Sequence, residues 1–299
     1  MPPSTRTRGH TQTTPRSGRV GGRSAAALAL TVAMISLLVA GCTQGRPAAS
    51  ATQVREKNMR PVIGITCSFG PSQSDPNRLQ LSLNATYMDA IFAAGGLPCP
   101  LPLPPEADPA VLDQLLQRCD GVLFTGGSDI VPEHYGAPAD PETHVMNPRR
   151  DAFELELFRR ADEKRLPILT ICLGFQVAHV GRGGQLVQHL PDFKRPEPLT
   201  HYTKDPNAHP VRITPGSRLA QIVGATEIET NSRHHQAVDV AHQGRGLQPV
   251  GFTSDGILEA SEDMDGRFLL AVQWHPEDLT DRPEHRRLFE ALVEAARRR

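Results

Sequence analysis

The order of strand and helix signals predicts a three-layer α/β domain on a mixed, mostly parallel sheet, and three observations carry that expectation. Short continuous apolar runs at 61–66 (PVIGIT), 121–125 (GVLFT) and 166–172 (LPILTIC) read as strands covered on both faces. Helix-period segments separate these early runs, whereas the later strand-like segments follow one another with few helices between them. Two apolar runs, 167–171 and 268–274, stop at chemically loaded turns, the first at Cys172 and the second at His275-Pro276-Glu277.

Taken in order, 83–94 is a helix closed by Gly95-Gly96, the usual C-terminal stop. Residues 97–103 are extended, and their alternating prolines place them at an irregular or edge position. Asp108 followed by Pro109 is an N-cap with proline at the first helical position, opening a helix that runs to Cys119. The segment 150–164 is a helix with Phe153, Leu157, Phe158 and Ala161 on its apolar side. Strands are expected again at 211–214, 237–240, 256–260 and 268–274, and 284–298 is a basic-ended helix.

The amino terminus has a different character. Arg6, Arg8, Arg16, Arg19 and Arg23 precede the first acidic residue, Glu56, and 25–40 is an unbroken run of apolar and small residues ending at Gly41-Cys42. That run is short for a membrane span and fits the core of a signal peptide. Val39-Ala40-Gly41-Cys42 resembles a lipobox, which makes Cys42 the expected lipidation site and the protein an extracytoplasmic, membrane-anchored bacterial lipoprotein. The alternative is a cytoplasmic protein whose translation starts at Met59. The expected organisation is therefore a leader at 1–42, a polar tether at 43–58 and one domain at 59–299. Over 299 residues the formal net charge is −1, with Lys and Arg spread through the body, so nothing there suggests a nucleic-acid partner and none is expected. Membrane contact is expected only through the lipid at Cys42, and homo-oligomerisation stays open.

The five cysteines include no CxxC pair, and the histidines at 179, 189, 201 and 209 show no ligand spacing, so no metal site or cofactor is expected. If the protein is exported, a disulfide among Cys67, Cys99 and Cys119 is open as to pairing, against the reading of at least two as buried free thiols.

An apolar strand that ends at Cys172-Leu173-Gly174 and turns helical describes a nucleophile elbow, which lifts the sulfur clear of the sheet onto a helix N-terminus that favours thiolate. A cysteine nucleophile needs a base, and the base needs a third group to orient it. His275 and Glu277 have that chemistry, and alternation along an extended segment would point both the same way. A tetrahedral oxyanion needs two preorganised donors, for which the N–H of Leu173 and one from the Gly126-Gly127 turn are the candidates, Gly127 foremost.

The CLGFQ segment and the later VQWHPE resemble the class I glutamine amidotransferase domain. With 124–136 (FTGGSDIVPEHYG), 150–154 (RDAFE), 183–188 (GGQLVQ) and 231–238 (NSRHHQAV), the set is similar to the free-standing gamma-glutamyl-gamma-aminobutyrate hydrolase branch, of peptidase C26 type, over 59–299. The resemblance implies a flavodoxin-like fold and a small-molecule γ-glutamyl substrate, hydrolysed through a thioester on Cys172 with His275 as base and Glu277 as its orienting partner. It places Gly126, Gln176, Asn231, Ser232, His234, His235 and Gln236 beside the substrate, and puts Asp129 and Tyr135 in a loop motif. Arg150 is read either as a partner for a substrate carboxylate or as one half of an ion pair with Asp151 or Glu154. Two departures concern the substrate more than the reaction: Thr170 stands where the elbow usually has glycine, and Leu173 stands where the hydrolase branch often has arginine. Other readings are a glutaminase component of an amidotransferase, a folate-type γ-glutamyl hydrolase and a non-catalytic γ-glutamyl-binding lipoprotein.

Overall fold

A computed structural model describes residues 59–299; the expected leader, the expected lipidation site Cys42 and the expected tether lie outside the described residues. The chain opens with β1 (Val62–Ile65), a β2–β3 hairpin (Ser68–Pro71 and Leu79–Ser82), helix α1 (Ala85–Ala93) and β4 (Leu97–Pro100). Next come α2 (Pro109–Leu116), β5 (Gly121–Phe124), α3 (Pro148–Glu163), β6 (Ile168–Ile171), α4 (Leu173–Gly181) and the short β7 (Leu186–Val187). The second part holds β8 (His209–Ile213), α5 (Arg218–Val223), β9 (Glu227–Thr230) and β10 (Ala237–Val238). It ends with β11 (Leu247–Phe252), β12 (Leu258–Asp263), β13 (Leu269–Val272) and α6 (Pro283–Arg297).

Nine strands form the central sheet in the order β4-β1-β5-β6-β13-β12-β11-β8-β9. Pairing is parallel from β4 through β13 and antiparallel from there to β9. This is the mixed α/β fold that the strand–helix order predicts and the flavodoxin-like one that the resemblance implies.

The continuous apolar runs are explained by what covers them. Val122, Phe124, Ile168, Leu269 and Ala271 face the layer built by α2, α3 and α4, where Leu112, Phe153, Phe158 and Phe175 are buried. Leu123, Leu169, Ile171, Leu270 and Val272 face α1, α5 and α6, against Ile91, Leu219, Phe289 and Leu292. Successive strand residues therefore enter opposite cores, and a polar residue on either face would be buried. Among the described residues, no helix is long and apolar enough to cross a membrane.

The prolines of β4 sit where they cost no ladder bond, because β4 is an edge strand pairing only with β1. Asp108 caps α2 by accepting from the Ala110 N–H at 2.8 Å. Other expectations are corrected. The strand expected at 237–240 is two residues long and pairs with β7 outside the central sheet. β11 escaped notice because Pro249 and Gly251 interrupt its pattern, and the register shifts between them. Thr170 lies inside β6 rather than at the turn, paired with Phe124 and Ala271, fully buried and with its hydroxyl unpartnered.

The elbow requires α4 to pass close over β5. A Cβ added at Gly174 would lie 2.7 Å from both the carbonyl oxygen and the Cβ of Phe124. Backbone cannot yield as a side chain does, so Gly174→Ala is expected to destabilise the fold by about 1–3 kcal/mol, read as a lower melting temperature. An unchanged melting temperature would show that α4 has room to move.

Candidate active site

The site forms where β5, β6 and β13 end. Cys172 caps α4 with φ 54° and ψ −105°, a left-handed conformation that costs a non-glycine residue about 1–3 kcal/mol. The conformation is held from both sides: the Cys172 N–H donates to the Val272 carbonyl at 2.9 Å, and its own carbonyl accepts from the Gln176 N–H at 3.3 Å. The thiol is thereby fixed at the positive end of a helix.

His275 follows the end of β13. Its backbone is clamped by one side chain, Asn231, which accepts from the His275 N–H at 2.8 Å and donates to the His275 carbonyl at 2.9 Å. Its Nδ1–H donates to Glu277 Oε1 at 2.7 Å, which leaves Nε2 for a reacting proton. Strand alternation is not what aligns the pair: Pro276–Asp278 form a 3₁₀ turn that folds the carboxylate back under the ring. Burial opposes the imidazolium, yet the Cys172 sulfur and the Glu277 carboxylate outweigh it and hold the ring well above the ordinary histidine range. The Tyr87 hydroxyl accepts from the Gly126 N–H at 3.2 Å; burial and the nearby Glu277 carboxylate keep it protonated.

Gly126 packs against the pair so closely that an added Cβ would meet His275 Cε1 at 2.8 Å and Cys172 Cβ at 3.6 Å. The N–H groups of Gly127 and Leu173 have no acceptor among the described residues. Arg150 holds the glycine turn from behind. It is 3 % exposed, donates to the Gly126 carbonyl at 2.9 Å and to the Ser68 hydroxyl at 3.1 Å, and pairs with the fully buried Glu154 at 3.1 Å. Of the two readings of Arg150, the structure has the ion pair with Glu154. Burial raises the Glu154 carboxyl against the opposing pull of Arg150.

A cavity of about 570 Å³ opens over this group, walled by Ser68, Asn84, Tyr87, Gly127, Arg233 and His275 among others. Several residues expected beside the substrate do not line it. Asn231 is spent on the His275 backbone, and the Ser232 hydroxyl donates to the His201 carbonyl at 2.7 Å. Gln176 is buried and donates to the Gln273 side chain and the Gln236 carbonyl at 3.3 and 3.4 Å. Gln236 is buried with both side-chain amide atoms unpartnered. His235 sits 3.0 Å from the largely buried Asp129, whose same carboxylate oxygen accepts from the His144 N–H at 2.6 Å. Tyr135 is buried in the apolar layer.

The residue that does reach the cavity from this segment is Arg233, paired with Asp278 and 3.9 Å from Glu277 Oε1. Its position between Ser232 and His234 was its only sequence signal. Tyr87 and Asn84 had none beyond a helix start.

His234 turns the other way, into a buried group with His201 and Glu259 whose possible ligand atoms all lie within 4.8 Å of one another. Of the four histidines expected to show no ligand spacing, His201 alone falls in this group. No spacing rule reveals the group, because each member comes from a different segment of the chain.

Cys67, Cys99, Cys119 and Cys172 are free thiols. Burial pushes Cys67 and Cys119 up to about 11. Iodoacetamide near neutral pH is therefore expected to alkylate Cys172 roughly tenfold or more faster than those two, followed by peptide mapping. Equal rates would count against an activated sulfur at Cys172.

Three comparisons add to this geometry. The peptidase C26 family profile matches residues 61–277. A glutamine amidotransferase-type protein of Mycobacterium tuberculosis is 37 % identical over 79 % of this chain and 75 % of its own length. The gamma-glutamyl-gamma-aminobutyrate hydrolase PuuD of Escherichia coli K12 is 32 % identical over 79 % of this chain and 93 % of its own. Among solved structures, a GMP synthase-type protein from Thermoplasma acidophilum shares the fold, with a TM-score of 0.53 at 13 % identity, covering 80 % of this chain and 95 % of that one.

Proposed function

The chain belongs to the peptidase C26 family, and from that premise we propose that it hydrolyses γ-glutamyl amide (isopeptide) bonds through a glutamyl thioester on Cys172. One observation carries the reading: a strained cysteine at a helix N-terminus stands beside a histidine on the cavity wall, close enough for its sulfur to favour the imidazolium, and the far nitrogen of that ring is already committed to a buried carboxylate.

In the proposed reaction the Cys172 sulfur attacks the γ-carbonyl carbon, and its proton resides on His275 Nε2. The carbonyl oxygen becomes an oxyanion facing the free N–H groups of Gly127 and Leu173. As the C–N bond breaks, His275 returns the proton to the departing amine. Water then loses a proton to His275 and attacks the thioester, which releases glutamate and restores the thiol. Glu277 keeps the imidazole in one tautomer and offsets its charge throughout. Arg233 is the cation best placed to meet a carboxylate of the substrate, after exchanging its contact with Asp278.

The test is glutamate release by the full-length protein from γ-glutamyl-γ-aminobutyrate, other γ-glutamyl amines and dipeptides, glutamine and folyl-polyglutamate, with Cys172→Ser as blank. Release from one amide class, absent in the blank, names the leaving group. Release from none overturns the hydrolase reading. The relatives named for glutamine amidotransferase sustain a glutaminase as the second reading, selected if glutamine is the best substrate by a wide margin.

We also propose that the protein acts outside the cytoplasm, anchored by lipid on Cys42. This rests on the basic leader, apolar core and lipobox occurring in that order. Cell fractionation with metabolic fatty-acid labelling of wild type and Cys42→Ala tests it; unlabelled, soluble wild-type protein in the cytoplasm would refute it.

A further inference from the structure

The buried group around Glu259 is chemically incomplete. Glu259 lies on β12, His201 in the segment leading to β8, and His234 in the segment after β9. The side chains of all three are at most 2 % exposed. Each ring has spent one nitrogen on an oxygen that can only accept. His234 Nδ1 lies 2.9 Å from the Gln236 carbonyl, and His201 Nε2 lies 3.2 Å from the Asp255 carboxylate, which Arg195 and the Thr253 hydroxyl hold in place. Both outer nitrogens therefore carry the protons, and in the neutral rings both inner nitrogens present lone pairs.

Those lone pairs face one carboxylate oxygen. His201 Nδ1 is 3.4 Å and His234 Nε2 is 3.3 Å from Glu259 Oε1. Lone pairs against a carboxylate in a dry interior repel, so either two extra protons or a cation must lie between them. The two separations are long for the first and fit the second, and all the ligand atoms lie within 4.8 Å of one another. Charge-assisted N–H···O bonds are shorter, about 2.7–2.9 Å. Metal–ligand bonds of about 2.0–2.1 Å in a tetrahedron set neighbouring ligand atoms about 3.3–3.4 Å apart. Neither inner nitrogen, nor either Glu259 oxygen, has a hydrogen-bond partner. The His209 ring packs on His201 with centroids 4.7 Å apart and has its own unpartnered Nε2, a further donor at the edge of the group.

We propose that His201, His234 and Glu259 form a buried binding site for a divalent transition-metal ion of the zinc type. Two imidazoles and a carboxylate are donors suited to such ions, and the Gln236 carbonyl and Asp255 carboxylate are the outer partners that orient metal-bound histidines. The site is structural. None of its three ligands walls the active-site cavity, but His234 lies next to Arg233 and shares a short segment with Asn231, the clamp on His275. The ion would tie the segments at 201 and 234 to β12 and fix one side of the cavity.

The experiment is metal analysis of the full-length protein, purified without a histidine tag, together with Co(II) titration of the chelator-stripped protein. Expected are about one equivalent of transition metal per chain in wild type and in Cys172→Ser, and visible ligand-field bands with Co(II). Chelation should lower the melting temperature and Zn(II) should restore it. Glu259→Gln should lose the metal and the bands, and Asp255→Asn should weaken Co(II) binding roughly 10- to 100-fold. The proposal is overturned if stripped wild type gives no Co(II) band and no chelator-dependent melting shift, a result that needs no variant to fold. It is equally overturned if a folded Glu259→Gln protein keeps its metal.

Discussion

Cys172→Ser lowers kcat/KM for the best γ-glutamyl substrate by roughly three or more orders of magnitude and leaves the fold intact. The substitution exchanges sulfur for oxygen at a position whose backbone is held by β13 and α4, so the strained φ of 54° persists. What is lost is chemical. A hydroxyl is a far weaker acid than a thiol, and His275 no longer has the sulfur whose charge favours its protonated form. Steady-state kinetics with circular dichroism checks this, and a variant within about tenfold of wild type would remove Cys172 as nucleophile.

The same coupling sets a pH dependence whose sign follows from His275. Its charged form is favoured in the fold, so the stabilisation is complete below the ordinary histidine range and disappears as pH rises through the raised value. Wild type should therefore lose part of its melting temperature between neutral and alkaline pH, and Cys172→Ser should lose less of it. Parallel melting curves for the two proteins against pH would show that the sulfur contributes nothing to the ring's charge.

Legibility in sequence tracked how local the cause was. The elbow was visible because one short segment contains the apolar strand, Cys172 and Gly174, and the parallel core was visible because strands buried on both faces are almost wholly apolar, Thr170 being the exception in β6. His275 and Glu277 were found as a pair, but for the wrong geometric reason, since Pro276 starts a turn that alternation does not anticipate. The polar segment 231–236 was expected to lie as a whole beside the substrate, and only part of it does. Its side chains diverge: Asn231 to a backbone clamp, Arg233 to the cavity, His234 to Glu259 and His235 to Asp129. Nothing in a linear reading separates these directions, because each partner lies on a distant strand or loop. Arg150 shows the same limit. Its i+4 partner Glu154 was in view, but its grip on the Gly126 carbonyl depends on how α3 lies across the end of β5.

That grip makes Gly127→Ala the second large effect. An added Cβ would stand 2.4 Å from a guanidinium nitrogen of Arg150 and 2.6 Å from Leu173 Cδ2. Neither neighbour can yield without consequence: Arg150 is locked by Glu154, Ser68 and the Gly126 carbonyl, and Leu173 carries the other free N–H. The turn must move, and with it the alignment of two donors aimed at one oxyanion. Losing one such donor costs about 10²- to 10³-fold in kcat, and that is the expected loss here. The nucleophile itself is untouched, so the alkylation rate of Cys172 should stay within about threefold of wild type. A loss of turnover with equal loss of alkylation would place the damage at the sulfur. Near-wild-type turnover would mean that the oxyanion is held by a different pair of groups.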